Sequence, residues 1–344
     1  MGDEKRSAPS FQVTCGGSTF TQPEANGLET LTIEDHVDMV EQLTMRITGT
    51  EQTPKWSIKV GDAVDAKVGA GNVLAFKGEV ISVEPSWSAE GILTLMVRAY
   101  DNTHRLGRGR KTRWFEKKKD SEIAETVGKE SELEVECDPT EETRDYVLQR
   151  NESNLTFLKR LAARNNFQLA VDEGKLIFKK ASLANTPTDI EMGKNLRSLK
   201  MSFNTMEQVG EVVARGWDIR EKKEIVGKAT PSDIDKIGGG DVGAELSTTK
   251  FGSHTAYITD VPFTNQSQAN ELAKAEMNRS ARQFGKGSCT VEGNDALRAG
   301  QQVNFKGLNQ PHNGTYFIVS SKHIVGSTTG YITEFQFCSN TSGT

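Results

Sequence analysis

The residues with the most chemical potential are dispersed along the chain. A serine nucleophile elbow needs Gly-x-Ser-x-Gly between a strand and a helix. Gly326-Ser-Thr-Thr-Gly330 has these residue types at another spacing, in what reads as a strand–strand turn. A phosphate loop needs Gly-x-x-x-x-Gly-Lys-Ser/Thr, so that backbone N–H groups converge on the anion. Gly285-Lys-Gly-Ser288 follows a helical pattern and lacks the first glycine, so it reads as a helix cap. Gly107-Arg-Gly109 is a dinucleotide fingerprint without its third glycine. His36, His104, His254, His312 and His323 show neither His-Glu-x-x-His nor His-x-His spacing. Cys15, Cys137, Cys289 and Cys338 form no Cys-x-x-Cys pair and no Cys/His cluster, which a zinc site requires. With 47 Asp and Glu, a glycosidase-like carboxylate pair can arise by chance anywhere, and nothing singles one out. The expectation is a protein that is not an enzyme, with no cofactor and no metal.

A basic run, His104 to Phe115, is the strongest remaining signal. Residues 105–119 carry eight Lys or Arg and one acid, whereas residues 120–142 carry ten acids and one base. Arg105, Arg108, Arg110, Arg113 and Trp114 could hold single-stranded nucleic acid by charge and stacking. The adjacent acids turn the local field into a dipole, so a subunit-contact or solvated face is the preferred reading and nucleic acid is disfavoured.

The 344 residues suggest roughly two domains. Basic and acidic residues, 42 against 47, leave a net charge of −5, unlike the basic footprint of a general nucleic-acid binder. No stretch approaches the roughly 18 apolar residues of a membrane span. The first ten residues are polar, lack an apolar core segment, and predict a cytoplasmic product without a signal peptide. Gly2 has Arg6 at the position where myristoylation needs Ser or Thr.

Alternating apolar residues predict strands over 28–36, 39–47, 74–83 and 92–100. An α/β block follows: a helix over 121–129, strands over 133–137 and 145–149, and a helix over 154–165 capped by Ser153. A hairpin over 167–178 turns at Asp172-Glu-Gly174. Strand patterns resume over 196–203 and 208–217. The glycine loop Ile237-Gly-Gly-Gly-Asp241, a helix over 266–284 and a strand-like tail complete the chain.

Two segments repeat a pattern. Gly61-Asp-Ala-Val64 and Gly300-Gln-Gln-Val303 each open a strand, glycine, strand, turn, strand sequence. Gly78 is matched with Gly314, which precedes Tyr316, and residues 28–49 are matched with residues 196–216. The fold class expected is mainly β (α+β): two similar small antiparallel barrels, with an α/β block between them. The expected boundaries are 1–115 for an N-terminal arm and first barrel, 116–190 for the block, and 191–344 for the second barrel, with an insertion at about 218–285.

Several stretches carry a family resemblance. Tyr146-Val-Leu-Gln-Arg-Asn-Glu-Ser-Asn-Leu-Thr-Phe-Leu-Lys-Arg-Leu161 resembles a strand-then-helix of phage late control protein D and of VgrG proteins. Asp101–Phe115, Val213-Ala-Arg-Gly-Trp-Asp218, Ala296-Leu-Arg-Ala-Gly300, Asn313–Val319 and His323 are similar to segments in the same order along those proteins. Ile219 stands where many relatives have proline. Tail-tube-like barrels are implied by the resemblance. So is a structural homotrimeric hub of a phage tail or contractile injection system, giving a quasi-six-fold ring that joins a hexameric tail tube to a trimeric spike. Expected partners are a second copy, the tube protein, a spike protein, other baseplate components, and cargo or a tape-measure protein in the lumen, with incorporation into the particle's baseplate. VgrG proteins continue into a spike, so a separate spike protein is expected here. The alternative is a tail-associated peptidoglycan hydrolase with a Glu/Asp pair.

Overall fold

A computed structural model describes residues 11–21, 27–50, 56–69, 74–172, 175–180, 183, 186–219, 221–309 and 311–343. Strands dominate, because period-two alternation turns one face of each strand inward. The first unit comprises β1 (Phe11–Cys15), β2 (Ser18–Phe20), β3 (Leu28–His36), β4 (Gln42–Thr50), β5 (Ala63–Val68), β6 (Leu74–Trp87) and β7 (Ile92–Asp101). Leu31 and Ile33 of β3, Leu43, Met45 and Ile47 of β4, and Val97 and Ala99 of β7 point into one core, closed at one end by Phe11, Val13 and Phe20.

The middle block contains β8 (Lys111–Lys119), α1 (Asp120–Lys129), β9 (Val135–Cys137), β10 (Thr143–Glu152), α2 (Asn154–Arg164), β11 (Phe167–Asp172) and β12 (Lys175–Lys180). β8 pairs with β10, while β11, β12 and β9 form a second small sheet. The Ser153 hydroxyl accepts the Thr156 N–H at 3.1 Å and starts α2, whose Phe157, Leu158, Leu161 and Ala162 are buried against α1 and the sheets. The expected hairpin forms between β11 and β12, with Asp172 opposite Lys175; its turn residues 173 and 174 lie outside the described residues, as do residues 1–10.

The last unit runs through β13 (Thr188–Glu191), β14 (Leu196–Phe203), β15 (Glu211–Asp218), β16 (Lys223–Ala229), α3 (Gly243–Phe251), β17 (Thr255–Ile258), α4 (Gln266–Ala281), β18 (Gly285–Glu292), β19 (Gln302–Lys306), β20 (Gly314–Gly326) and β21 (Gly330–Ser339). One sheet spans both outer units in the order β14-β18-β21-β20-β3-β4-β7-β6-β5-β1-β2. Within it, the order β3-β4-β7-β6-β5 recurs as β14-β18-β21-β20-β19. Registers recur too. The Gly61 N–H donates to Val80 O at 2.8 Å and the Val80 N–H to Asp62 O at 2.9 Å. Likewise the Gly300 N–H donates to Ile318 O, and the Ile318 N–H to Gln301 O, both at 2.9 Å. Bulges fall between Leu28 and Thr30 and again between Leu196 and Ser198, and between Val80 and Ser82 and again between Ile318 and Ser320.

This topology corrects three assignments. The strand over 208–217 is not the counterpart of β4. It becomes β15, which pairs with β16 and β17 in a separate sheet, and β18 takes the β4 position. The inserted segment therefore runs from 204 to 284, splitting the first hairpin of the second unit; alternation marks a strand without saying which sheet it joins. Gly78 lies opposite Val64 and Tyr316 opposite Val303, so the counterpart of Gly78 is Tyr316, two residues beyond Gly314. The last helix ends at Ala281, and Phe284 is buried beyond it. The glycine loop is anchored within the chain: Asn340 Oδ1 accepts the Ile237 N–H at 2.8 Å, and the Thr341 hydroxyl donates to Ile237 O at 2.7 Å.

Candidate assembly interface

The two repeated units meet where β20 pairs with β3, Ser320 opposite His36 through Gly326 opposite Thr30. Val325 enters the core of the first unit beside Leu31 and Ile33, and all three are almost fully buried. At one end of this seam lies a polar cluster. Arg298 Nε donates to Asp35 Oδ2 at 2.6 Å and its terminal nitrogen to Glu41 Oε1 at 2.8 Å. Asp35 also accepts the Ala299 and Ser321 N–H groups, each at 3.1 Å, while the Glu41 N–H donates to Asp101. Burial raises Asp101, opposed by donors from Thr103 and Glu41.

His323 sits under this cluster. Its Nε2 lies 3.1 Å from Leu297 O, which can only accept, so Nε2 carries the proton and Nδ1 accepts from the Tyr331 hydroxyl at 2.9 Å. Burial, reinforced by Arg298 and opposed by Asp35, pushes its pKa down to about 4. The neutral ring therefore contributes stability that is complete above the ordinary value of 6.5 and is lost as pH falls toward 4, by up to about 3 kcal/mol. Unfolding free energies measured across this window should fall more steeply for the native chain than for His323→Gln; parallel curves would refute the assignment.

Among the open strand edges of the described residues, two flank the repeated units. Beyond Val80, β6 leaves the β5 side and pairs only with β7, so Ser82–Trp87 have one free side. β14 pairs only with β18. Trp87 is 58% exposed, and Leu199, Met201 and Phe203 of β14 are only partly covered by the second unit's core.

The residues singled out from sequence fall in different places. Gly61 and Gly300 turn the chain at φ of 93° and 86°, in the region that favours glycine, immediately before β5 and β19. Val64 and Val303 are buried in the two cores, Tyr316 packs edge-on against Phe305 and Phe337, and Gly78 and Gly314 lie in β6 and β20. The basic run does not form one free surface. Arg105 pairs with Glu79 and, at 3.7 Å, with Glu132; Arg113 pairs with Glu130 at 2.5 Å and stacks over Phe115. Arg108 donates to His104 Nδ1 at 3.2 Å and Arg110 to Asn151 O at 3.3 Å, whereas Trp114 is exposed. Asp35, Glu41 and Asp101 were not distinguished by sequence, since a lone acid near a strand end has no local signature.

A second buried ionic cluster ties the middle block to the inserted segment. Burial opposes ionisation of Asp120, yet Arg164 and Arg144 hold it below the usual range. Arg144 also reaches Glu271 of α4 at 3.3 Å, where burial pushes the acid up to about 7.

Chemically these clusters hold elements together. Among the described residues no group of three His, Cys, Asp or Glu side chains could hold a metal ion. Burial raises the thiols of Cys15 and Cys289 to about 12, far from a thiolate nucleophile. A cleft of about 270 Å³ beside Arg298 is lined by Asp35, Glu41, Glu136, Lys179 and Lys180.

The architecture is that of phage tail and VgrG-type hub proteins. A 43 kDa tail protein of prophage MuSo2 from Shewanella oneidensis superposes with a TM-score of 0.73 at 17% identity, covering 96% of this chain and 98% of the other. An Escherichia coli protein described as a type VI secretion component, structurally similar to T4 tail proteins, gives a TM-score of 0.60 at 11% identity over 91% and 73% of the two chains. In sequence, a probable baseplate hub protein of Escherichia phage 186 is 29% identical over 203 residues, 57% of this chain and 50% of that protein. The match thus spans half the length of the phage protein. The family model described as Alg8 N-terminal domain matches residues 12–327, and the chain belongs to that family.

Proposed function

We propose that the chain is a structural baseplate hub of a contractile injection system or phage tail. Three copies form a ring in which each repeated unit acts as one tube-like barrel, so six similar units surround a lumen. A hexameric tail tube stacks on this quasi-six-fold face, a trimeric spike occupies the other, and cargo or a tape-measure protein passes through the lumen. The observation that carries the reading is the recurrence of one strand order, with the same registers and bulge positions, twice in one chain. A three-fold object can present six near-equivalent surfaces only if each chain supplies two. The name of the phage 186 relative, a probable baseplate hub protein, supports the same role, as do the tail-protein descriptions of the similar solved structures. Arg113 and Trp114 lie in β8 of the middle block, after the segment that carries Arg105, Arg108 and Arg110, and Trp114 offers an exposed aromatic surface to a neighbouring component.

Size-exclusion chromatography with light scattering should give three times the chain mass, and the trimer should retain the tail tube protein on a column. A strict monomer that binds neither tube nor spike protein would overturn the reading.

A further inference from the structure

We propose that the copies join by strand pairing: Ser82–Trp87 of β6 in one copy runs antiparallel to Leu199–Asn204 of β14 in the next. The register is Ser82 opposite Asn204, Pro85 opposite Met201 and Trp87 opposite Leu199. This rests on the ring reading above and supplies the contact that closes it.

The internal seam is the template. Ser320 and Ser82 each follow the bulge of their strand and lie opposite Gln336 and Arg98; Val325 and Trp87 lie opposite Tyr331 and Leu93. Leu31 and Leu199 likewise hold one position, opposite Met45 and Cys289 in strands that next pair with Val97 and Phe335. Within the chain Val325 sits opposite Leu31, His323 opposite Ile33 and Ser320 opposite His36. Carrying these positions to their counterparts gives the stated register.

Burial separates the covered edge from the bare one. Leu31 and Ile33, under β20, are each 1% exposed, whereas their counterparts Leu199 and Met201 remain partly open. Val325 is 2% exposed where Trp87 is 58% exposed. An indole laid on Leu199 would seal the second unit's core as Val325 seals the first. Both bare edges belong to the same chain and cannot meet each other within it if the internal seam is kept. The partner that fits each is therefore a second copy, in a head-to-tail contact that closes as a ring.

Backbone geometry adds a selectivity device. The Ser88 N–H donates to Ile92 O at 2.9 Å, so by strand alternation the nitrogen of Pro85 faces the open side. Proline removes one donor there, which blunts the edge against indiscriminate pairing. Its carbonyl still accepts from the Met201 N–H. On the outer face, Lys322 pairs with Glu34 at 2.8 Å across the internal seam; across the seam between copies, Glu84 stands diagonal to Lys200.

Ser86 and Lys200 are exposed and would form a non-hydrogen-bonded pair, whose Cα separation of about 4.5 Å suits a disulfide. The double variant Ser86→Cys/Lys200→Cys should oxidise to reducible covalent dimers and trimers, stopping at trimer. A control two residues out of register, Ser86→Cys/Ser202→Cys, should cross-link at least tenfold less. Trp87→Lys, with an unchanged circular dichroism spectrum, should need at least tenfold higher concentration to assemble. A trimer that forms without the register-specific bond, or is indifferent to Trp87→Lys, overturns the pairing and leaves the hub reading intact. A monomer at every concentration overturns both.

Discussion

Replacing Arg298 with methionine should lower the unfolding free energy by about 3–5 kcal/mol, the range for stranding a buried charge. One guanidinium serves two carboxylates from different parts of the first unit, Asp35 at 2.6 Å and Glu41 at 2.8 Å, and their side chains are only 10% and 4% exposed. With the cation gone, Asp35 keeps N–H donors from Ala299 and Ser321, which orient it without neutralising it. Two negative charges of the first unit then sit together at the seam without the cation that the second unit supplied. Chemical unfolding at matched protein concentration measures the loss. The triple variant Arg298→Met/Asp35→Asn/Glu41→Gln should recover most of it, since what costs is the uncompensated charge rather than the missing ion pair. A loss below about 1 kcal/mol for the single variant would mean that water already screens these carboxylates.

The second large effect is expected at Gly78, where β6 passes from β5 to β7. A Cβ there would stand 2.1 Å from the Tyr100 carbonyl oxygen and 2.9 Å from the Phe76 ring. The obstructing oxygen belongs to the backbone of a paired strand, so a rotamer change cannot relieve it. Gly78→Ala should therefore cost about 3 kcal/mol, at the upper end of ordinary overpacking, and the larger Gly78→Val should abolish assembly. Gly314→Ala faces a different difficulty: a backbone φ of 129°, whose strain should cost about 1–2 kcal/mol. The ordering of the two alanine variants by thermal unfolding is the test, and a larger loss at Gly314 would refute it. The two glycines look equivalent in sequence, but the pairing register separates them.

Local physics made much of this protein readable from its residues. Strand character over 28–36, 74–83 and 92–100 follows from side chains alternating between two faces, a property of neighbours in the chain. Helix α2 was legible because Ser153 caps it and its apolar residues recur on one stripe. Gly61/Val64 and Gly300/Val303 mark corresponding turns, since a positive φ followed by an inward valine is also a short-range requirement. The basic and acidic runs were visible as composition, yet folding sets Arg113 against Glu130 and Arg105 against Glu132, cancelling part of the dipole that the linear order suggests.

Partner choice was not legible, and the reason is range. Alternation identified residues 208–217 as a strand, but pairing with β16 and β17 instead of β18 depends on how an 80-odd-residue insertion folds back as its own unit. Asp35 and Arg298 lie 263 positions apart, and no local pattern links them. Residue order alone determined which segments become strands and helices, which side chains face inward, and that one turn pattern occurs twice. Only the tertiary structure decided which strands share an edge, which charges are buried together and which edges are left bare, because those outcomes depend on surfaces that exist only after distant segments have packed.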